Sequence, residues 1–357
     1  MPKAPKGAKK RAQHAGKPGN AGGDEKRSML VSANTNLGQH FLKNPQVVTS
    51  IIEKSKLQSS DTVLEIGPGT GNLTVKLLEG VRRVVAVEYD PRMVRELTKR
   101  VEQAPELKRR LELIHANVLK TALPYFDVCV ANIPYNISSP LLFKLLAHRP
   151  PFRAAVIMFQ EEFAQRLSAR PGDTLYCRLS VNTQLLARVD QLMRVGRGNF
   201  RPPPKVDSRV VRIEVRNPPP PVDFVEWDGL LRLLFNRKHK TLRALLNTKP
   251  TLRMLADNYA THAALRGAPR ASGDAGSAAA VLAAAAADAD GDRPMGVDDD
   301  DDDDADDAAA GSTSDMKALI EEVLADPQFA DRRPATMDQD DFLALLAAFN
   351  RRGLHFS

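Results

Sequence analysis

The segment Glu65-Ile66-Gly67-Pro68-Gly69-Thr70-Gly71 joins an apolar run to an amphipathic one. Glycines at such a junction let the backbone turn sharply and approach a ligand with no Cβ in the way. Glu88 ends the next apolar run, 21 positions after Gly67. A carboxylate there can accept both hydroxyls of a ribose. The spacing is G-x-G-x-G rather than the G-x-G-x-x-G of dinucleotide sites, no GK[ST] follows, and the loop holds no lysine or arginine. A nucleoside ligand without a pyrophosphate is therefore favoured, and S-adenosylmethionine fits. The bland alternative is a tight turn with no ligand, against which Glu88 argues.

A second cluster, Asn132-Ile133-Pro134-Tyr135, ends a later apolar run. Beside a sulfonium it suits methyl transfer to a planar exocyclic amine, a poor nucleophile because its lone pair is delocalised into the ring. The Asn132 side-chain oxygen and the Ile133 carbonyl can accept the two amine hydrogens and favour a pyramidal nitrogen, which is catalysis by orientation and electrostatics. Pro134 fixes the turn so that both acceptors converge, and Tyr135 is expected to stack on the base. No general base is needed, because the proton can leave once the nitrogen is cationic.

Both clusters need strand ends to hold them. From Pro45 onward helical and strand patterns alternate, with strands expected at 62–66, 84–88, 111–115, 127–131, 154–159 and 210–215. Helices are expected around Val47, Val48, Ile51 and Ile52, around Leu73, Leu77 and Leu78, and over 93–101, 141–146 and 161–167. Such alternation implies an α/β fold with a mostly parallel sheet covered on both faces. The run Asn217-Pro218-Pro219-Pro220-Pro221 marks a domain boundary, beyond which helices are expected at 227–235, 241–246, 316–324 and 341–349. Between them an Ala/Asp-rich stretch, 271–312, includes seven consecutive aspartates and reads as a disordered insertion.

The formal net charge of +7 divides unevenly: 271–312 carries thirteen Asp and one Arg, a net of −12, leaving +19 elsewhere. A body that basic expects a polyanion, nucleic acid ahead of a membrane. The longest apolar run, 278–287, is too short to span a bilayer. Residues 1–30 form a basic tail with five lysines and one arginine before Asp24; they lack an import face and fit a nuclear or nucleolar address or an RNA-gripping tail. Cys129 and Cys177 lack metal-site spacing, so two reduced thiols and no metal are expected. Arg237, Lys238, Lys240 and Arg243 form a basic cluster suited to phosphate contact along an RNA hairpin.

These motifs, with Gly38-Gln39-His40-Phe41-Leu42, Ser138-Ser139-Pro140 and Asn199-Phe200-Arg201-Pro202-Pro203-Pro204-Lys205-Val206, make the chain resemble the ribosomal RNA adenine dimethyltransferases. The ending Arg352-Gly353-Leu354-His355-Phe356-Ser357 resembles the eukaryotic branch, which acts on 18S rRNA. The resemblance runs over about 37–246 and 316–357. It implies a class I (Rossmann-like) seven-stranded methyltransferase sheet over 31–220 and a small helical RNA-binding domain over 221–357. It also implies cofactor contacts from His40, Leu42, Gly67, Gly69 and Glu88, and Asn132 at the methyl group. Phe200 and Tyr135 would sandwich the target adenine. The product would be N6,N6-dimethyladenosine at two adjacent sites near the 3′ end of small-subunit rRNA, made by a monomer during ribosome biogenesis in the nucleus and nucleolus.

One departure stands out. The family places an Asp after the third strand to accept the cofactor adenine's amine, where this chain has Asn117. A neutral acceptor is expected to weaken that contact by about 1 kcal/mol. Asn117 keeps open a second reading, an assembly factor that binds pre-ribosomal RNA with catalysis secondary or lost. A DNA amine methyltransferase would lack the Phe200 proline loop and the helical domain.

Overall fold

Apolar runs with no polar alternation become the centre of the sheet. The strands β1 (Phe41–Leu42), β2 (Thr62–Ile66), β3 (Arg83–Glu88), β4 (Leu111–His115), β5 (Val128–Asn132) and β6 (Ala154–Gln160) are followed by β7 (Ala187–Val195), β8 (Phe200–Arg201) and β9 (Ser208–Val215). The computed structural model describes residues 33–34, 37–265 and 307–356. Seven strands form one sheet in the order β4-β3-β2-β5-β6-β9-β7, and β1 and β8 form a separate ribbon. Pairing is parallel from β4 to β6 and antiparallel where β9 joins β6 and β7. The expected mostly parallel sheet is therefore present.

Period-two alternation assigns each strand residue to one of two cores. On β5, Val128 and Val130 join one apolar cluster while Cys129 and Ala131 join the other. On β6, Val156 and Met158 go one way, Ala155, Ile157 and Phe159 the other. Helices cover both faces, which is why these strands read as continuous apolar runs. They are α1 (Pro45–Ser55), α2 (Asn72–Gly80), α3 (Pro91–Glu102), α4 (Pro105–Arg110), α5 (Ser138–Leu146), α6 (Glu161–Ser168) and α7 (Arg178–Leu186). Asn44 and Asp90 cap α1 and α3 by accepting the Gln46 and Arg92 amides, each before a proline at the first helical position.

Regular structure lapses between Val215 and Phe224, but the core does not. Helices α8 (Phe224–Asn236), α9 (Leu242–Leu246), α10 (Lys249–Leu265), α11 (Asp307–Leu324) and α12 (Gln339–Arg351) follow. Trp227, Leu230, Phe342 and Phe349 share one apolar cluster with Leu64, Ile157 and Phe159 of the sheet. Buried polar groups add to the joint: Asn182 of α7 donates to Asp228 at 2.8 Å and accepts from the Trp227 indole at 2.9 Å.

Sequence patterning does not reveal α7, β7 or α10. Helix α7 buries Ser180, Asn182 and Thr183, so it has no apolar stripe; β7 is an edge strand with charges and a bulge near Gln191–Met193. Residues 1–30 and most of the expected insertion lie outside the described residues. Its last part does not fit the expectation, because the backbone of 307–312 already belongs to α11. No helix among the described residues is long and apolar enough to cross a membrane.

Candidate active site

Strand order reverses between β2 and β5, since the chain runs outward from β2 to β3 and β4 and returns to build β5 and β6 on the other side. At such a switch point the loops diverge and leave a crevice at the carboxyl ends of the strands. The glycine turn leaves β2 there, and Asn132-Ile133-Pro134 leaves β5 beside it. Gly67, Gly69, Glu88, Asn132, Ile133 and Pro134 all line one cavity, with Gly38, His40, Leu42 and Glu65 across from them. Gly67 and Gly69 have φ of +67° and +55°, a region open to glycine at little cost. A Cβ on Gly69 would stand 3.2 Å from the Phe41 ring.

Glu88 is buried and strongly held. Its Oε1 accepts the Tyr89 and Asp90 amides, both at 2.8 Å, and Oε2 accepts Gly69 N–H at 3.1 Å. Burial pushes its carboxyl above the usual range and the three amides oppose that shift. A carboxylate has about four acceptor positions, so a ribose would share Glu88 with this scaffold. Asp90 is pushed down to about 2, chiefly by Arg92, and also accepts the Gln39 amide at 2.9 Å. That bond ties the Gly38–Leu42 segment to the end of β3.

Asn132 Nδ2 donates to the His40 carbonyl at 3.3 Å. This fixes the amide and leaves Oδ1 as the atom without a partner among the described residues. His40 in turn donates from Nδ1 to the Pro202 carbonyl at 2.9 Å, and Asn44 Nδ2 donates to Asn199 Oδ1 at 2.8 Å. With the β1–β8 ribbon pairing Leu42 with Phe200 and Phe41 with Arg201, these bonds lock the proline loop against the cavity wall.

Three of the expected site residues are not part of that wall. Phe200 is 1% exposed and packs in the core with Leu42, Val48 and Met158. Alternation along β8 sends Phe200 inward and Arg201 outward, so the expected aromatic sandwich is not formed by that ring. The ring facing Tyr135 is His40, at a centroid distance of 6.0 Å and 24° between planes. Tyr135 itself sits just beyond the lining, its hydroxyl bonded to Ser208. Asn117 lies outside the cavity, and its Oδ1 accepts the Leu119 amide at 3.0 Å. The oxygen expected to meet an adenine amine thus already caps a turn.

Of the expected RNA cluster, only Arg237 and Lys240 are exposed with no ion pair among the described residues. Lys238 donates to the Thr174 and Tyr176 carbonyls, both at 2.8 Å, and Arg243 pairs with Glu321 at 3.0 Å. Both already have partners within the protein, Arg243 in an exposed ion pair. Exposed Lys43 and Arg201 instead adjoin the lining, Lys43 following Leu42 and Arg201 pairing with Phe41, and Lys205 is exposed in the proline loop. Sequence reasoning missed these because they are scattered between apolar motif residues.

It also assigned no role to Glu65, which is 1% exposed at the cavity and whose Oε2 has no hydrogen bond among the described residues. Burial pushes Glu65 up to about 8, opposed by the Thr74 hydroxyl and reinforced by Glu88. The signal was available: an acid one position before the end of an otherwise apolar strand.

Sheets of this order, with a glycine turn at the switch point and an acid one strand over, are those of class I methyltransferases, and this protein has that fold. Residues 31–264 match the family described as ribosomal RNA adenine dimethylase. A probable dimethyladenosine transferase of Dictyostelium discoideum is 52% identical, covering 90% of each chain. A ribosomal RNA small subunit methyltransferase of Arabidopsis thaliana is 53% identical over 92% of this chain and 93% of that one. The crystal structure of a dimethyladenosine transferase from Plasmodium falciparum superposes with a TM-score of 0.72 at 39% identity, covering 89% of this chain and all of that one. The chain belongs to the ribosomal RNA adenine dimethylase family.

Proposed function

We propose that the protein uses S-adenosylmethionine to dimethylate the N6 amines of two adjacent adenosines near the 3′ end of 18S rRNA. It would do so on a pre-ribosomal small-subunit particle, in the nucleus and nucleolus, and be a monomer outside that particle. The residues fit the cofactor: an orphaned buried carboxyl oxygen on Glu65 faces its cavity, glycines at 67 and 69 leave room for close approach, and Glu88 stands where a ribose would lie. When bound, the cofactor supplies an electrophilic methyl carbon on a sulfonium.

The observation that carries the reading is the Asn132–His40 bond, which leaves the amide oxygen as an acceptor at the exit of β5. Asn132 Oδ1 and the Ile133 carbonyl accept the two hydrogens of the adenine amine and free its lone pair for attack. Attack by that lone pair would form the nitrogen–carbon bond as the carbon–sulfur bond breaks, its electron pair staying on the departing thioether, and the amine proton would then pass to solvent. Tyr135 and His40 are the rings available to the extruded base. Exposed Lys43 and Arg201 beside the β1–β8 ribbon, Lys205 in the proline loop, and Arg237 and Lys240 in the helical region suit the RNA backbone.

The test is to incubate the protein with immature small-subunit particles and methyl-labelled cofactor and map the label. Label on paired adenosines near the 3′ end of 18S rRNA supports the reading. Label elsewhere, or none with cofactor bound, overturns it.

A further inference from the structure

Outside the cavity lining, three chain segments bring metal-ligating side chains together. Glu226 of α8, His262 of α10 and His355 of the C-terminal tail each place one ligand atom so that all three lie within 4.8 Å of one another. The two imidazoles stack with centroids 3.9 Å apart and 20° between planes. His355 Nδ1 stands 2.6 Å from Glu226 Oε1, and the carboxylate side chain is 6% exposed.

The surroundings of this trio are built. Glu226 Oε2 accepts the Phe356 amide at 3.2 Å, and the Asn350 side-chain amide, oriented by its partners, donates to the same oxygen at 3.2 Å. The His355 carbonyl accepts Asn258 Nδ2 at 3.1 Å. Gly229, one turn after Glu226, lets the tail lie directly on α8: a Cβ there would fall 1.9 Å from the Phe356 carbonyl oxygen.

We propose that Glu226, His262 and His355 bind a divalent transition-metal ion of the zinc type, fastening the C-terminal tail and the end of α10 to α8. Two imidazoles and one carboxylate are a zinc-like donor set, whereas calcium and magnesium take oxygen. Tetrahedral bonds of about 2.0–2.1 Å set ligand atoms about 3.3 Å apart, so on binding the 2.6 Å Glu226–His355 contact opens and separations nearer 4.8 Å close. Glu226 Oε1 then ligates while Oε2 keeps its two N–H donors, the supporting contacts that orient a ligating carboxylate. The fourth position is left to water. The expectation of no metal rested on the cysteines; ligands at 226, 262 and 355 leave no spacing signature in the sequence.

Full-length protein stripped of metal is titrated with cobalt(II), followed by its visible absorption, and then with zinc(II). One equivalent of cobalt with intense tetrahedral bands, displaced by one equivalent of zinc, is expected. His262→Ala should weaken binding at least tenfold, and His355→Ala likewise. Deleting 298–304 should leave it unchanged, which separates the site from the aspartate run. Weak octahedral-type absorption, or an affinity untouched by His262→Ala, overturns the proposal. Because His262 lies on α10 and not on the tail, its variant remains informative if His355→Ala loosens the tail.

Discussion

Two regions of this molecule bury polar side chains, and they treat them oppositely. At the joint between sheet and helices, Asn182, Asp228 and the Trp227 indole satisfy one another. At the carboxyl ends of β2 and β5, one atom of a polar group is fastened and another is left over. Asn132 gives its NH₂ to the His40 carbonyl and keeps its oxygen; Glu65 keeps Oε2 without a partner among the described residues. A buried polar group without a partner costs free energy; Thr183 Oγ1 and Asn247 Oδ1 also lack one among the described residues, and what sets the Glu65 oxygen apart is that it lines the cavity, where a ligand can complete it. Paired groups hold the joint in one arrangement.

The contrast breaks most sharply at Asn132. Asn132→Ala should reduce methyl transfer by about 10²–10³-fold, the cost of removing one oriented transition-state acceptor. The fold should be retained, since among the described residues the only side-chain bond lost is the 3.3 Å one to His40. Single-turnover rates with labelled cofactor and a thermal melt test both halves. A large loss of stability with little loss of rate would reverse the assignment of this residue to chemistry.

The joint should answer the other way. Asn182→Ala removes the partner of two buried groups and should destabilise the protein by about 2–4 kcal/mol while leaving turnover of the folded fraction near normal. Denaturant unfolding and activity at low temperature separate the two effects.

Glu65 should make the contrast visible in pH. Its folded pKa is raised from 4.5 to about 8, so between those values the folded state holds a proton the unfolded state has released. That stability is present in full below pH 4.5 and is lost as pH rises through about 8. Within the window the slope is at most about 1.4 kcal/mol per pH unit. Glu65→Gln stays neutral and should abolish it, so the variant gains on the parent between pH 5 and 8 in urea melts of the cofactor-free protein. Equal pH profiles would mean Glu65 is ionised in the fold.

What could be read in the sequence follows the same division. Strands β2 and β4 and the glycine turn were legible to the residue because apolar runs and glycine spacing are local signals. Joint residues such as Asn182 were not, because a buried polar residue in a helix looks like a solvent-facing one until its partner, 45 or 46 positions away, is known. Phe200 was legible as a motif but not in its direction: only pairing with β1 shows that it points into the core. The basic cluster at 237–243 misled for a related reason, since charge composition does not distinguish a free cation from Lys238, whose ammonium closes on two carbonyls.

That last distinction gives the smallest and most specific test. A phosphate-contacting cation contributes about one unit to the salt slope of RNA binding, whereas a cation paired within the fold contributes little. Arg201→Ala should therefore flatten the slope by about one unit and weaken binding evenly across RNA sequences. Arg243→Ala, which breaks the 3.0 Å pair with Glu321, should change the slope little and lower stability by at most about 1 kcal/mol. Filter binding to a small-subunit rRNA hairpin across a salt series reads both. If Arg243→Ala flattened the slope and Arg201→Ala did not, RNA would lie along the helical region rather than across the mouth of the cavity, and the free cations would have been assigned to the wrong end of the molecule.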